Sequence, residues 1–375
     1  MNRFDALVLG GGMAGAAVAA HLAGRRRIAL LEREPALAVH ATGRSAAMWL
    51  PSYGGAAVRP LTLASRPFLT DPPGGFVGSL LAPRAALHVA RREQLDVLGA
   101  LAAEHPRLRP LSGVEARRRV PILRPEAAHA ALLETDAGDI DVARLHARFV
   151  AMARAGGAEI LTALGELRIG RVGPFWEVSA AGQVWRAPIL VNAAGAWADD
   201  VAVAAGLAPL GLTPLRRTVV LVDPPASPGF GGWPVVKDVD ERFYFRPFSG
   251  RLLVTPADET LSEPRDAQPD DLDVARAMAR LEKACDHAVA RVRYRWAGLR
   301  TFAADRAPVV GWSRDHPGFF WIAGLGGFGI QAAPALGRMA AAILLGDPMP
   351  AELVDHGVMA RFYDPERPAT TRRSA

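Results

Sequence analysis

The run Gly10-Gly11-Gly12-Met13-Ala14-Gly15 constrains the fold of this chain more than any other feature. It follows an apolar stretch, residues 4–9, that reads as a buried strand. It leads into an alanine-rich stretch ending near Gly24 that reads as a helix, and Ile28, Ala29, Leu30 and Leu31 then read as a second strand closing on Glu32. Strand, G-x-G-x-x-G, helix, strand and acid in this order form a dinucleotide-binding fingerprint. Gly10 makes the tight turn, Gly12 lets the backbone approach a pyrophosphate, and Gly15 lets helix and strand pack closely. Met13 and Ala14 open the helix, whose free N–H groups and partial positive charge face the phosphates. Glu32 stands where a carboxylate accepts both ribose hydroxyls and would repel the extra phosphate of NADP; Arg33 beside it joins the nucleotide-binding set. The motif alone admits NAD and FAD alike.

At 375 residues the chain can bury two cores or one large one, and with half its residues hydrophobic it reads as a soluble globular protein. Its single cysteine, Cys285, excludes an intramolecular disulfide and a cysteine metal cluster, so a reducing compartment and no metal site are expected. The net charge is +6, and Lys237 and Lys283 are the only lysines. The triplets Arg25-Arg26-Arg27 and Arg117-Arg118-Arg119 invite a nucleic-acid reading. They sit in short connections without interleaved aromatics, however, and acids nearly balance the bases, so no nucleic-acid partner is expected. Residues 6–20 are apolar but too short to span a bilayer and carry the glycine motif. The expectation is a cytoplasmic protein with no integral membrane segment.

Three later segments turn the nucleotide reading toward FAD. His40-Ala41-Thr42-Gly43-Arg44-Ser45-Ala46-Ala47, followed by Met48, is a small-residue loop with one arginine and two hydroxyls. It suits a second wrap around a pyrophosphate, or is an ordinary polar loop. Residues 189–197 read as a further parallel strand ending in small residues, among them Ala194 and Gly195; such strand ends line the ligand crevice of doubly wound sheets. Residues 319–323 read as a strand, followed by Gly324-Leu325-Gly326-Gly327-Phe328-Gly329-Ile330-Gln331 and a helix to about Leu345. A glycine-rich loop opening a helix far from the first motif is what an isoalloxazine ring needs, because the helix N-terminus stabilises negative charge on the reduced ring. The bland alternative is a glycine-rich turn without a ligand. A covalent link through Cys285 is disfavoured, and His40 reads more simply as a loop histidine, so FAD is expected to be non-covalent.

The stretches between these segments differ in texture. Residues 50–135 are rich in proline and turn signals. Residues 208–295 alternate like strands at 218–222, 243–246 and 252–255, then show an amphipathic helix with Val274, Met278, Leu281 and Cys285 on one face. The expected fold is α/β (α+β overall). It has a discontinuous Rossmann-like FAD-binding domain of residues 1–49, 136–207 and 296–350, interrupted by an antiparallel-sheet substrate domain of 50–135 and 208–295. Residues 351–375 read as a C-terminal tail.

Four segments carry a family resemblance: residues 41–47, residues 191–197, Trp296-Ala297-Gly298-Leu299-Arg300-Thr301-Phe302, and residues 326–331. Over nearly its whole length the chain resembles the D-amino-acid oxidase superfamily of FAD enzymes, and within it most the bacterial D-arginine dehydrogenases. The implied reaction moves hydride from the substrate Cα to flavin N5, leaving an imino acid that water converts to a 2-oxo acid and ammonia. The protein then has to hold a carboxylate, aim the Cα–H bond and bind the amine neutral.

A fixed guanidinium is the natural carboxylate clamp. Arg300 sits in an apolar frame where a charge is costly unless paired. Arg217, beside Arg216, opens the strand at 218–222, and Tyr53 and Tyr244 are candidate hydroxyl donors. The plain alternatives are a strand-end surface arginine for Arg217 and a core tyrosine for Tyr244. The resemblance implies that Tyr53, Arg217, Tyr244 and Arg300 hold the carboxylate, that the Gly327 carbonyl receives the amine, and that Gln331 lies beside the flavin. Two departures stand out. Met48 replaces a histidine, and Ala85-Ala86-Leu87 occupies the place of a glutamate that pairs with cationic side chains. A D-amino acid with an apolar or small side chain is therefore expected, in a pocket lined partly by Met48 and Trp49, with the electron acceptor open. The competing readings are a glycine- or sarcosine-type amine oxidase passing electrons to oxygen and a non-catalytic FAD-binding subunit. An NAD-dependent dehydrogenase would not require the second glycine loop.

Overall fold

The computed structural model describes residues 2–73 and 77–368. Strands Ala6–Leu9 and Ile28–Leu31 are buried along their whole length. They sit inside a six-stranded sheet whose spatial order is Glu159–Leu161, Ile28–Leu31, Ala6–Leu9, Ile189–Asn192, Phe319–Ala323 and Val309–Trp312. All neighbours are parallel except the last pair. Strands covered on both faces read as unbroken apolar runs, but the alternation of side chains still sorts them. Val8 and Leu30 face helices Met13–Leu22 and Gly329–Leu345. Leu7, Leu9 and Leu31 face Trp176 and Trp185 of a four-stranded sheet made by Asn2–Arg3, Gln183–Ala187, Phe175–Ala180 and Arg168–Val172.

The glycine turn has the expected causes. Gly10 adopts φ +104°, and a Cβ there would lie 2.5 Å from the Ala193 carbonyl oxygen. A Cβ on Gly15 would lie 1.9 Å from the Gly10 carbonyl oxygen, so only glycine lets the helix start this close to the turn.

The second large sheet is mostly antiparallel. In order it contains Thr260–Leu261, Thr213–Val222, Arg251–Thr255, Tyr244–Phe248, Val235–Asp238, Ala86–Ala90, Ala130–Glu134 and Arg109–Ser112, with Val292–Phe302 also paired to Thr213–Val222. Helix Asp271–Ala284 packs Val274 and Leu281, with Cys285 just beyond it, into the core of this sheet. Three sequence expectations need correction. The boundary expected at residue 296 falls inside strand Val292–Phe302, which pairs with Thr213–Val222 as far as Phe302. Residues 351–368 are not a tail: Leu353, Val358 and Tyr363 enter the first core, and Tyr363 Oη donates to the Ala57 carbonyl at 2.7 Å. Residues 369–375 lie outside the described residues. Arg117, Arg118 and Arg119 form the last turn of helix Gly113–Arg119 rather than a connection, where cations complement the helix's C-terminal partial charge.

The proline-rich stretch after residue 50 contains helix Gly55–Thr70 with Pro60 and Pro67 inside it. Each proline removes an intrahelical bond. Burial of Val58, Leu61, Thr62, Ser65 and Leu69 outweighs that loss. Ser65 also serves helix Gly329–Leu345, which contains Pro334: its Oγ accepts from the N–H of the next residue, Ala335, at 3.1 Å.

Candidate active site

A cavity of about 850 Å³ is lined by residues of both large sheets. Gly10, Gly12, Met13 and Ala14 form one wall, with Glu32 and Arg33 beyond them. Thr42 Oγ1 accepts from the Met13 N–H at 3.0 Å, capping the helix from the neighbouring loop. The Glu32 carboxylate accepts from the N–H groups of Gly11 at 2.7 Å and Glu34 at 2.9 Å, so it holds the turn in shape while lining the cavity. Arg33 lies 5.4 Å from the Trp197 ring centroid. Arg44, Ser45, Ala46, Ala47, Met48, Ala194 and Gly195 also line the cavity. The Arg44 guanidinium is nevertheless engaged elsewhere. It donates to the carbonyls of Ala267 at 2.8 Å and Ala297 at 3.2 Å and pairs with Asp266, tying the loop to the second sheet. His40 Nε2 lies 3.0 Å from Glu34 Oε1, and its ring packs on Trp197.

Three expected cofactor residues stand behind the wall rather than in it. Gly15 packs against Gly10, and Gly43 packs against the Ala38 carbonyl, where a Cβ would lie 2.4 Å away. Phe328 is buried, with its ring centroid 4.9 Å from that of Tyr53. Gly326, Gly327, Gly329, Ile330 and Gln331 do face the cavity. A glycine cradle at one helix N-terminus and a second glycine loop opening another helix in the same cavity suit an extended dinucleotide bearing a ring system.

Beyond the second glycine loop the chemistry changes. Arg300 Nη1 donates to Tyr53 Oη at 3.1 Å. A Cβ on Gly327 would lie 2.8 Å from that nitrogen and 2.9 Å from Tyr53 Oη, so the three groups meet. Among the described residues no carboxylate pairs with Arg300. Arg217 is not a surface arginine: its side chain is 11% exposed, with Nε donating to the Asp258 carbonyl at 2.7 Å and Nη2 3.3 Å from Glu259 Oε1. Burial first, then the positive charge of Arg300, holds Arg217 below its ordinary pKa. Two desolvated guanidiniums on paired strands of one cavity wall favour an anion there. Tyr244, at the start of its strand, lines the same wall.

Gln331 lines the cavity while its amide is engaged within the fold. It is 2% exposed, and its amide is spent on the segment that carries Tyr53. Oε1 accepts from Leu50 N at 3.1 Å, while Nε2 donates to the Tyr53 carbonyl at 3.2 Å and to Thr62 Oγ1 at 3.0 Å. A buried cluster absent from the sequence reading holds the other side of this segment. Ser52 donates to Glu134 through Oγ at 2.6 Å and through its N–H at 2.9 Å, and His88 Nε2 lies 3.1 Å from Glu134 Oε2. Burial holds His88 below its usual pKa. His88 and Glu134 come from separate strands and Ser52 from the turn before helix Gly55–Thr70, so no local pattern announced them.

The expected side-chain pocket is corrected in two respects. Met48 lines it, but Trp49 points into the core with Nε1 donating to the Thr62 carbonyl at 2.8 Å. Adjacent strand residues face opposite ways. The wall is also not purely apolar, because Lys237 and Glu241 line it, with Nζ and Oε1 2.6 Å apart. The only signal in the sequence was the rarity of lysine; the pairing of Lys237 with Tyr244 is what brings it to the site. Cys285 is remote from this chemistry, and burial pushes its thiol pKa up. Among the described residues, no helix is long and apolar enough to cross a membrane.

Comparison with known proteins agrees with this geometry. The family profile described as FAD dependent oxidoreductase (DAO) matches residues 5–343. Among curated proteins, the tRNA 5-methylaminomethyl-2-thiouridine biosynthesis bifunctional protein MnmC of Burkholderia vietnamiensis is 28% identical over 420 aligned residues, covering 96% of this chain and 59% of that protein. The FAD-dependent oxidoreductase domain-containing protein 1 of Bos taurus is 29% identical over 198 residues, 48% of this chain and 40% of that protein. The chain thus spans about half the length of these curated relatives. In fold it is similar to glycine oxidase from Geobacillus kaustophilus, with a TM-score of 0.80 and 23% identity over all of both chains. It is likewise similar to L-proline dehydrogenase from P. horikoshii, with a TM-score of 0.80 and 20% identity over 98% of both. With two glycine loops on one cavity and a family match over most of its length, this chain belongs to the DAO family of FAD-dependent oxidoreductases.

Proposed function

We propose that this protein oxidises a D-amino acid to the imino acid, which water converts to a 2-oxo acid and ammonia. The observation that carries the reading is the Arg300 guanidinium. It faces the cavity beside Tyr53 Oη and Gly327 with no carboxylate partner among the described residues. Bound FAD supplies the two-electron acceptor for such a reaction. Arg300 and Arg217 bind the substrate carboxylate, with Tyr53 and Tyr244 adding hydroxyl donors, and the Gly327 carbonyl accepts from the amine. Holding carboxylate and amine at fixed points leaves one orientation for the Cα–H bond, which is how the site selects handedness. As hydride leaves Cα, the nitrogen lone pair closes the C=N bond. Gln331 and the Glu134–His88–Ser52 cluster keep the Tyr53 segment in place. The resemblance of Tyr53, Arg217, Tyr244 and Arg300 to the carboxylate-holding residues of D-arginine dehydrogenase supports these roles. The non-covalent state of FAD, the division into FAD-binding and substrate units, and a cytoplasmic setting belong to the same proposal.

A second reading, oxidation of glycine, sarcosine or another secondary amine with oxygen as acceptor, draws on the likeness to glycine oxidase and to MnmC, whose name includes a methylaminomethyl group. Anaerobic mixing of the purified protein with D-amino acids, L-amino acids, glycine and sarcosine, followed by visible absorbance, separates the two. Bleaching of the flavin bands by D- but not L-enantiomers is the expected result. Bleaching by glycine or sarcosine alone transfers the proposal to the second reading. Admitting air then distinguishes oxidase from dehydrogenase by the rate of re-oxidation.

A further inference from the structure

Carboxylate capture by Arg300 and Arg217 leaves a third cation, Lys237, in the same compartment. Lys237 lies on strand Val235–Asp238 opposite Tyr244, and its Nζ is 4.4 Å from the centroid of the Tyr53 ring. The hydroxyl of that same ring receives Arg300 Nη1 at 3.1 Å. Tyr53 therefore spaces two cationic binding points by roughly the size of one aromatic side chain, about the separation of two carboxylates on a short aliphatic chain.

The ion pair that occupies Lys237 is lopsided. The Lys237 side chain is 14% exposed, whereas Glu241, its carboxylate partner among the described residues, is 56% exposed. Glu241 sits in the turn after the strand with φ +57°, a left-handed conformation uncommon outside glycine. A carboxylate that water still reaches gives up its partner to a competing anion more readily than a buried one does. A buried ammonium, in contrast, keeps its need for one. Met48 and Val235 line the same compartment without offering a polar group to a side chain.

We infer that Lys237 is a specificity-determining residue that receives the side-chain carboxylate of a short D-amino dicarboxylate while Arg300 and Tyr53 hold the α-carboxylate. Glu241 occupies the ammonium until the substrate displaces it. The inference rests on the proposed D-amino acid reading and names the side chain for it.

The test uses the purified holoenzyme and two probes, glutarate and butyrate, which differ by one carboxylate. Binding is read from the perturbation of the flavin visible spectrum, with reduction by D-glutamate and D-glutamine measured alongside. Glutarate is expected to bind at least ~10-fold more tightly than butyrate, an advantage of about 1.4 kcal/mol. Lys237→Met, or Lys237→Gln should the first fail to fold, removes that advantage. Glu241→Gln enlarges it, because the competing carboxylate is gone; a Lys237 that merely braced Tyr53 would give no such gain. Equal binding of the two acids by the wild type, or an advantage that survives both Lys237 substitutions, overturns the inference. If neutral D-amino acids reduce the flavin as well as D-glutamate does and glutarate has no advantage, this inference fails while the D-amino acid reading stands. If no amino acid reduces the flavin but glutarate keeps a Lys237-dependent advantage, the dicarboxylate site stands and the D-amino acid reading falls.

Discussion

Arg300 is a charge set in the largely apolar run from Trp296 to Phe302, and that contrast is legible in the sequence itself. What could not be read was that its Nη1 touches Tyr53, 247 residues away in the chain. Replacing it tests the site most directly. On the proposed role, Arg300→Met removes a charged, bidentate partner of the substrate carboxylate, a loss of about 3 kcal/mol. The kcat/KM for the best substrate should fall about 100-fold, with the 450 nm to 280 nm absorbance ratio unchanged. A loss of flavin with the activity would instead place Arg300 in cofactor binding. Gln331 teaches the complementary lesson. The resemblance implies a place for it beside the flavin, and it does line the cavity; what the sequence did not show is that its amide also holds Leu50, Tyr53 and Thr62 and so braces the Tyr53 segment.

Among the elements, those with a single local cause were the easiest to foresee. The first strand, glycine turn and helix fall where the apolar run, the G-x-G-x-x-G spacing and the alanine stretch put them. Helix Gly55–Thr70 was missed because its two prolines are local signals against a helix, and only the buried face it presents reverses them. Helix Met13–Leu22 depends on a partner from outside its own sequence, since its N-terminal N–H is capped by Thr42 from the loop after the next strand. Thr42→Val removes that cap, worth about 1 kcal/mol. FAD affinity should weaken by about fivefold, measured as released flavin fluorescence on dilution. Unchanged affinity would mean that the helix N-terminus contributes little to holding the pyrophosphate.

For the whole molecule, buried histidines predict acid lability. His21 packs edge-on against the stacked rings of Phe68 and Phe149, and burial, then the charge of Arg338, pushes its pKa down to about 4 from an ordinary 6.5. The unfolded chain takes up a proton at this residue below 6.5, and the folded protein only below about 4. The contribution of neutral His21 to stability is therefore complete above 6.5 and is lost as the pH falls toward 4, by up to about 3 kcal/mol. Burial of His88 acts in the same direction. Urea denaturation from pH 7 to 4 should show stability falling with pH, and His21→Leu should flatten that slope; an equal slope in the variant would rule out this source.

Nucleotide binding, FAD rather than NAD, and Arg300 as a candidate were legible along the chain, because each depends on short-range chemistry: a glycine where a Cβ cannot fit, a charge where the neighbours are apolar. Arg217, beside Arg216, stayed open against a surface arginine until its burial was seen. The side of each strand that faces the cavity, the partners that spend Arg44 and Gln331, and the arrival of Lys237 beside Tyr53 depend on pairings between strands distant in sequence. A strand's alternation tells which residues share a face, but not what that face will meet. Only the packed sheets determine that, and with it the polarity of the pocket.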